Sequence, residues 1–226
     1  MRLGVLFSGG KDSVYACYRA SKTEDVACLI TVVSENEESY MFHTPNIDKC
    51  PMIAKAMGIP YLEWRTLGEK EAELDDLRYA IAHAISEYGI EGVVTGAIAS
   101  VYQASRVQWI CNDLGIWCFN PLWQIDQLEY LDMLLSDGFK VLISGVFAYP
   151  LDESWIGRQM DQGMLSELAA LKAKYGINPS GEGGEIETMV VDGPSFKRRI
   201  KISSFDKDYK NHSGRMMIKD ARLVEK

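Results

Sequence analysis

Ser8-Gly9-Gly10-Lys11-Asp12-Ser13 brings together the residue types that can hold a polyphosphate. Gly9 and Gly10 let backbone approach a polyanion and take positive φ. The hydroxyls of Ser8 and Ser13 can donate to phosphate oxygens, and Lys11 supplies a point charge. Asp12 beside a polyanion calls for a cation between them, so Mg²⁺ held by Asp12 and phosphate oxygens is expected. A second constellation is Gly181-Glu182-Gly183-Gly184-Glu185-Ile186-Glu187-Thr188, where three carboxylates repel one another on a glycine-rich backbone that is costly to order. Such a loop suits an ammonium, a cationic substrate group or a metal. Third, Gly96 to Gln103 leads into Arg106, and Tyr102 with Arg106 stand i, i+4 on a helix. Arg106 could hold a phosphate or carboxylate bidentately. Fourth, His43 follows the second apolar run and could touch nucleotide or substrate as well as cap or pack.

The elements that must position these groups are legible in the hydrophobic pattern. The apolar run Leu3–Phe7 enters the glycine-rich turn, and the turn opens a segment with helical spacing. Free N–H groups and the positive dipole end of that helix would then face the anion. Further strands are expected over Val26–Val33, Pro60–Trp64, Gly92–Thr95 and Ile116–Phe119. Helices are expected after Thr44-Pro45, with a kink or later start at Pro51, over Glu71–Tyr88, and from Ser100 to Leu114. Ser100 with Gln103 forms a capping-box pattern, and Val101, Ala104, Val107, Cys111 and Leu114 form the buried stripe. The alternation predicts an α/β fold, a doubly wound, mostly parallel sheet with its ligand beyond the strands' carboxyl ends.

After about residue 125 the rhythm changes. Helices are expected over Leu128–Leu135 and Met160–Tyr175, and strands over Lys140–Phe147, Thr188–Val191, Phe196–Ile202 and Arg215–Val224. The division expected is residues 1–125 for nucleotide and residues 126–226 for a smaller, substrate-recognising α+β domain.

Composition is that of an ordinary globular chain, with 47% hydrophobic and 25% charged residues. No apolar stretch is long enough to span a bilayer. The five cysteines make no CxxC pair, and with no secretory leader expected they read as reduced thiols in a cytoplasmic protein. Cys111 and Cys118 are close in sequence but are not expected to form a sulfur relay. Charge is uneven: residues 196–226 carry ten Lys/Arg against four Asp/Glu, which leaves −14 on the rest of a chain whose total is −8. A basic end on an acidic body could dock an acidic protein or RNA, though a solvated strand face explains it as simply.

Ser-Gly-Gly-Lys-Asp-Ser resembles the PP-loop of the ATP pyrophosphatases, which have an adenine nucleotide α-hydrolase-like fold. With MFHTPN at 41–46, GAIAS at 96–100, PLW at 121–123 and GEGGEIET at 181–188, nearly the whole chain resembles the diphthine–ammonia ligase family. Ile186 stands where that family's pattern has an aromatic residue. The resemblance implies ATP-dependent amidation of diphthine, the modified histidine of elongation factor 2, through an acyl-adenylate. Ammonium displaces AMP to give diphthamide, and ATP with Mg²⁺ is the implied cofactor set. It implies Ser8, Gly9, Gly10, Lys11, Asp12, Ser13 and Gly96 around the nucleotide, and catalytic Lys11, Asp12, Glu182, Glu185 and Glu187. Substrate would lie against His43, Tyr102, Arg106, Glu182, Glu185, Glu187 and Thr188. Tyr102, Trp123 or Trp155 would suit the trimethylammonium group. No room for a glutaminase is expected, so free ammonium would supply the nitrogen. Neither membrane nor nucleic acid is an expected partner, and a homodimer stays open. The alternatives are a PP-loop adenylating enzyme that modifies tRNA and a non-catalytic ATP-binding module.

Overall fold

The computed structural model describes residues 1–36, 46–69 and 72–226. His43, Thr44 and Pro45 lie outside the described residues. In chain order the elements are β1 (Arg2–Leu6), α1 (Lys11–Ser21), β2 (Asp25–Ser34), α2 (Cys50–Met57), β3 (Tyr61–Thr66), α3 (Ala72–Tyr88), β4 (Gly92–Val94) and α4 (Val101–Asp113). They continue with β5 (Trp117–Phe119), α5 (Gln127–Ser136), β6 (Lys140–Val146), α6 (Gln162–Tyr175), β7 (Ile186–Asp192), β8 (Arg199–Lys210) and β9 (Ser213–Val224).

The first five strands form one sheet in the order β3-β2-β1-β4-β5, every neighbouring pair parallel. Buried on both faces, β1 and β2 read as continuous apolar runs, as parallel strands do. Strand order reverses between β1 and β4, the switch point where a doubly wound sheet opens a crevice. The other four strands form an antiparallel sheet in the order β7-β6-β9-β8. The doubly wound sheet with a smaller α+β unit is therefore as expected, but β8 starts at Arg199 and runs on to Lys210, well past the expected end at Ile202, while β9 begins two residues earlier than expected. Paired end to end from Arg199↔Val224 to Lys210↔Ser213, they form one long hairpin.

One apolar core joins the two halves. Tyr15 of α1 packs its ring edge on Phe139, with centroids 5.5 Å apart, and on Tyr130 of α5 at 5.6 Å. Both rings are fully or almost fully buried, in one cluster with Leu3, Val14, Ile143 and Met189. The sheets meet through this cluster and not through a flexible linker.

Local signals behaved as chemistry dictates, with two exceptions. Pro51 does delay α2: Ile47–Lys49 form a single 3₁₀ turn, and the proline falls in the first turn of the helix, where its missing N–H costs nothing. In α4 the buried residues are Val107, Ile110 and Cys111, whereas Val101 is 68% exposed. The stripe starts a turn later, and of the first turn of α4 Gln103 alone lines the cavity described below. The α6 helix begins at Gln162, capped by Asp161, and leaves Met160 outside it.

Candidate active site

The glycine-rich loop follows β1 and turns at Gly9, whose φ of 72° excludes most side chains. Gly10 is the N-cap of α1. Ser13 closes the turn: its Oγ donates to Gly10 O at 3.1 Å and accepts from Ser8 N at 3.2 Å. Its hydroxyl therefore shapes the loop in addition to any phosphate contact. Gly96, at the end of β4, serves close packing. A Cβ there would lie 2.8 Å from Asp12 C and Ser13 N, both backbone atoms.

β7 straps this loop from the other sheet. Lys11 N donates to Thr188 Oγ1 at 3.1 Å, and Val190 N donates to Gly9 O at 3.1 Å. Lys11 is only 2% exposed; its Nζ donates to Asp12 Oδ2 at 3.0 Å and to Ser180 O. The ammonium is thus held inside the loop, not extended freely into the cavity. Asp12 Oδ1 is out of solvent without a hydrogen-bond partner, although Lys11 Nζ lies 3.0 Å from it. The buried Tyr130 hydroxyl is also without a hydrogen bond. Burial, then the nearby Asp12 carboxylate, push its ionisation well above the usual range.

A cavity of about 470 Å³ opens over the loop, at the carboxyl ends of β1, β2 and β4. Its walls include Ser8, Gly10, Lys11, Asp12, Ser13, Gly96, Glu182, Glu187 and Thr188. That volume falls in the range of nucleotide-sized pockets. Tyr102 and Arg106 are not on its walls. They stack on each other, guanidinium 4.1 Å from the ring centroid, as their i, i+4 spacing predicts. Trp155 is buried, with Arg158 stacked on it at 4.8 Å. The aromatic faces expected at Tyr102 and Trp155 are therefore taken by arginines, and Trp123 is not on the wall either.

The three glutamates have three different environments. Glu182 Oε1 accepts from Ala99 N at 2.9 Å and Ser100 N at 2.7 Å, and so caps α4 from across the cavity. Ser100 Oγ accepts from Gln103 N at 3.3 Å, but the return half of the expected capping box comes from Glu182 and not from Gln103. Glu185 folds its own loop: it accepts from Asn178 Nδ2 at 2.8 Å and Gly183 N at 2.9 Å. Glu187 alone keeps a buried oxygen, Oε2, with no hydrogen bond. Burial pushes its carboxyl up to about 8, against the opposing pull of Arg215 and Lys11. Glu182 and Glu185 are thus engaged by hydrogen-bond donors, whereas burial disfavours the charged form of Glu187.

Glu182→Gln weakens an acceptor of two backbone donors, and Ser100→Ala removes the other cap. Ser100→Ala is expected to cost about 1 kcal/mol in denaturant unfolding. Glu182→Gln should lower the affinity for nucleotide by loosening the 181–188 loop over the cavity. Unchanged nucleotide affinity in calorimetry would show that the clasp has no part in binding.

Among the described residues no three His, Cys, Asp or Glu side chains group as a metal site. The donor set fits Mg²⁺ in another way. One carboxylate, Asp12, with an oxygen lacking a hydrogen bond, beside a phosphate cradle is how this ion is usually held, with phosphate and water completing its shell. Among the described residues, no helix is long and apolar enough to cross a membrane.

A glycine-rich turn at the switch point of a doubly wound sheet, opening a helix beneath a cavity of mixed polar and apolar lining, defines an α/β nucleotide-binding protein of the PP-loop class. The profile described as diphthamide synthase N-terminal domain matches residues 1–118, and that of the diphthamide synthase C-terminal domain matches residues 126–224. The chain belongs to the diphthamide synthase family. It is 33% identical over 225 residues to a diphthine–ammonia ligase of Bos taurus, covering 90% of this chain and 84% of that one. The Homo sapiens diphthine–ammonia ligase is also 33% identical, with the same coverage. That of Schizosaccharomyces pombe is 31% identical over 94% of this chain, which spans only 38% of that relative's length. A solved Methanocaldococcus jannaschii structure titled as a subunit of tRNA methyltransferase superimposes with a TM-score of 0.47 at 20% identity, over 86% of this chain and 98% of that one. At that level it carries no functional weight.

Proposed function

We propose that the protein is a diphthine–ammonia ligase acting on elongation factor 2. It would convert the diphthine carboxylate to the amide with ATP and ammonium. The observation that carries this reading is the placement of Glu187, a carboxylate with an unpartnered buried oxygen, in the same cavity as the Ser8–Ser13 loop. Residues 1–125 then serve the nucleotide, and residues 126–226 supply the acceptor side and the strap over the phosphate loop.

A carboxylate is a poor electrophile, and adenylation gives it a leaving group. One acceptor oxygen attacks the α-phosphorus of ATP, and pyrophosphate departs. The loop amides and the Lys11 charge stabilise the growing negative charge, at no reorganisation cost because the strap holds them in place. Mg²⁺ bound at Asp12 would supply further charge neutralisation. Ammonia nitrogen then attacks the acyl carbon, the bond to AMP oxygen breaks, and Glu187 takes a proton from the attacking nitrogen. The 181–188 loop, clasped to α4 by Glu182, keeps water off the mixed anhydride.

The test is a reconstituted reaction with ATP, Mg²⁺, ammonium and diphthine-bearing elongation factor 2. AMP is followed by chromatography and the modified-histidine peptide by mass spectrometry. AMP formed together with the carboxylate-to-amide mass change is the expected result. ADP as product would overturn the mechanism, and AMP without amidation would redirect the search to tRNA substrates.

A further inference from the structure

From Glu187 on the cavity wall a row of residues runs outward across the second sheet, and its other members lie beyond the lining residues. Glu187 on β7 is in register with Gly145 on β6, and Gly145 with Arg215 on β9. Residues directly opposite in antiparallel strands share a face, so Glu187 and Arg215 stand on the same face with a glycine between them. Strands are about 4.8 Å apart, which puts the two Cα atoms about 10 Å from each other. An arginine and a glutamate side chain can close most of that span. Gly145 leaves room for it, and the room is filled from one side: a Cβ at Gly145 would lie 2.7 Å from the Phe147 ring. Acid, aromatic ring and guanidinium therefore follow one another along the row.

Arg215 has the marks of a binding group. It is half-buried, and among the described residues it makes no ion pair or hydrogen bond. Asp208 is opposite it on β8 in register, yet does not pair with it. Of the charges that pull the Glu187 carboxyl down, Arg215 is stronger than Lys11, which itself lines the cavity. A guanidinium kept partly out of water without a partner is held at a cost unless a ligand completes it.

We propose that Arg215, Phe147 and Glu187 form the subsite for the acceptor side chain. It is a zwitterion site in which Arg215 takes the carboxylate and the Phe147 ring, beside Glu187, takes the quaternary ammonium. Resting on the function proposed above, this assigns the acceptor its contacts. One carboxylate oxygen on Arg215 leaves the other free to attack the α-phosphorus. In the mixed anhydride the same guanidinium polarises the carbonyl oxygen toward ammonia. A quaternary ammonium cannot donate hydrogen bonds, so an aromatic face with a carboxylate alongside is the surface that recognises it.

The test pairs kinetics with a direct probe. Arg215→Gln is expected to raise KM for the diphthine-bearing protein about 10–100-fold, the range for losing a charge-assisted hydrogen bond, while ATP affinity stays unchanged. Arg215→Lys should recover part of the loss. The probe is glycine betaine titrated calorimetrically into wild-type protein, beside acetate and tetramethylammonium. Betaine should bind best to wild type. Arg215→Gln should erase its advantage over tetramethylammonium, and Phe147→Leu its advantage over acetate. An unchanged KM in Arg215→Gln, or betaine that binds wild type no better than its two fragments, would overturn the subsite. Failure of wild type to amidate diphthine would instead sink the proposed function, and the betaine titration would still decide whether a zwitterion site exists.

Discussion

Glu187→Gln is expected to lower kcat about 10²–10⁴-fold, the usual loss on removing a positioned proton acceptor, with ATP affinity unchanged. Glutamine keeps the shape and removes the charge, so the deficit reports chemistry and not packing. The same residue should leave a mark on pH profiles. Its carboxyl is pushed from an ordinary 4.5 to about 8, chiefly by burial. Between those values the folded chain holds a proton there that the unfolded chain has lost. Stability from this group is therefore full below about pH 4.5 and falls as pH rises through about 8. Glu187→Gln should flatten that slope and be the more stable protein on the alkaline side. Activity should run the other way. Measured at fixed free ammonia, kcat/KM for the acceptor should climb as Glu187 loses its proton, and that limb should vanish in the variant. Wild-type-like turnover in Glu187→Gln would remove the residue from the mechanism.

Gly96→Val should abolish nucleotide binding without unfolding the chain. A Cβ at this position would sit 2.8 Å from Asp12 C and Ser13 N, and these are backbone atoms that no rotamer change can move aside. The loop cannot retreat either, because Thr188 and Val190 of β7 hold it from the far side. Overpacking of this kind costs about 1–3 kcal/mol, less than a domain's usual stability. The phosphate cradle, which needs its amides aimed at one point, loses more than the fold does. Calorimetric titration with ATP is expected to show at least a roughly 10-fold weaker affinity, with cooperative unfolding retained. Gly96→Ala should fall between the two. ATP binding at wild-type strength in Gly96→Val would mean that the loop is looser than its straps imply.

Much of this molecule is written in short stretches of its sequence. The apolar runs of β1 and β2, the glycine-rich turn and the capped amphipathic helices are local in origin. Propensity, period and turn chemistry act over a few residues, and they suffice to announce a doubly wound sheet with an anion site at its switch point. The GEGGEIET stretch likewise marked its carboxylates as candidates. What it could not announce is which of them remains unengaged. Glu182 is silenced by the N–H groups of Ala99 and Ser100, and Glu185 by Asn178. The first partnership spans a distance in sequence that no periodicity encodes. Lys11 was legible as a phosphate charge, but its burial on Ser180 O and Asp12 depends on where β7 lies. Thr188 was placed with the substrate, and only the tertiary structure adds that its hydroxyl accepts from Lys11 N. Arg215 was one cation among ten in a basic end. Only the register of β7, β6 and β9 sets it beside Glu187, because strand pairing is fixed by the fit of whole faces against a shared core and not by any residue's own preference.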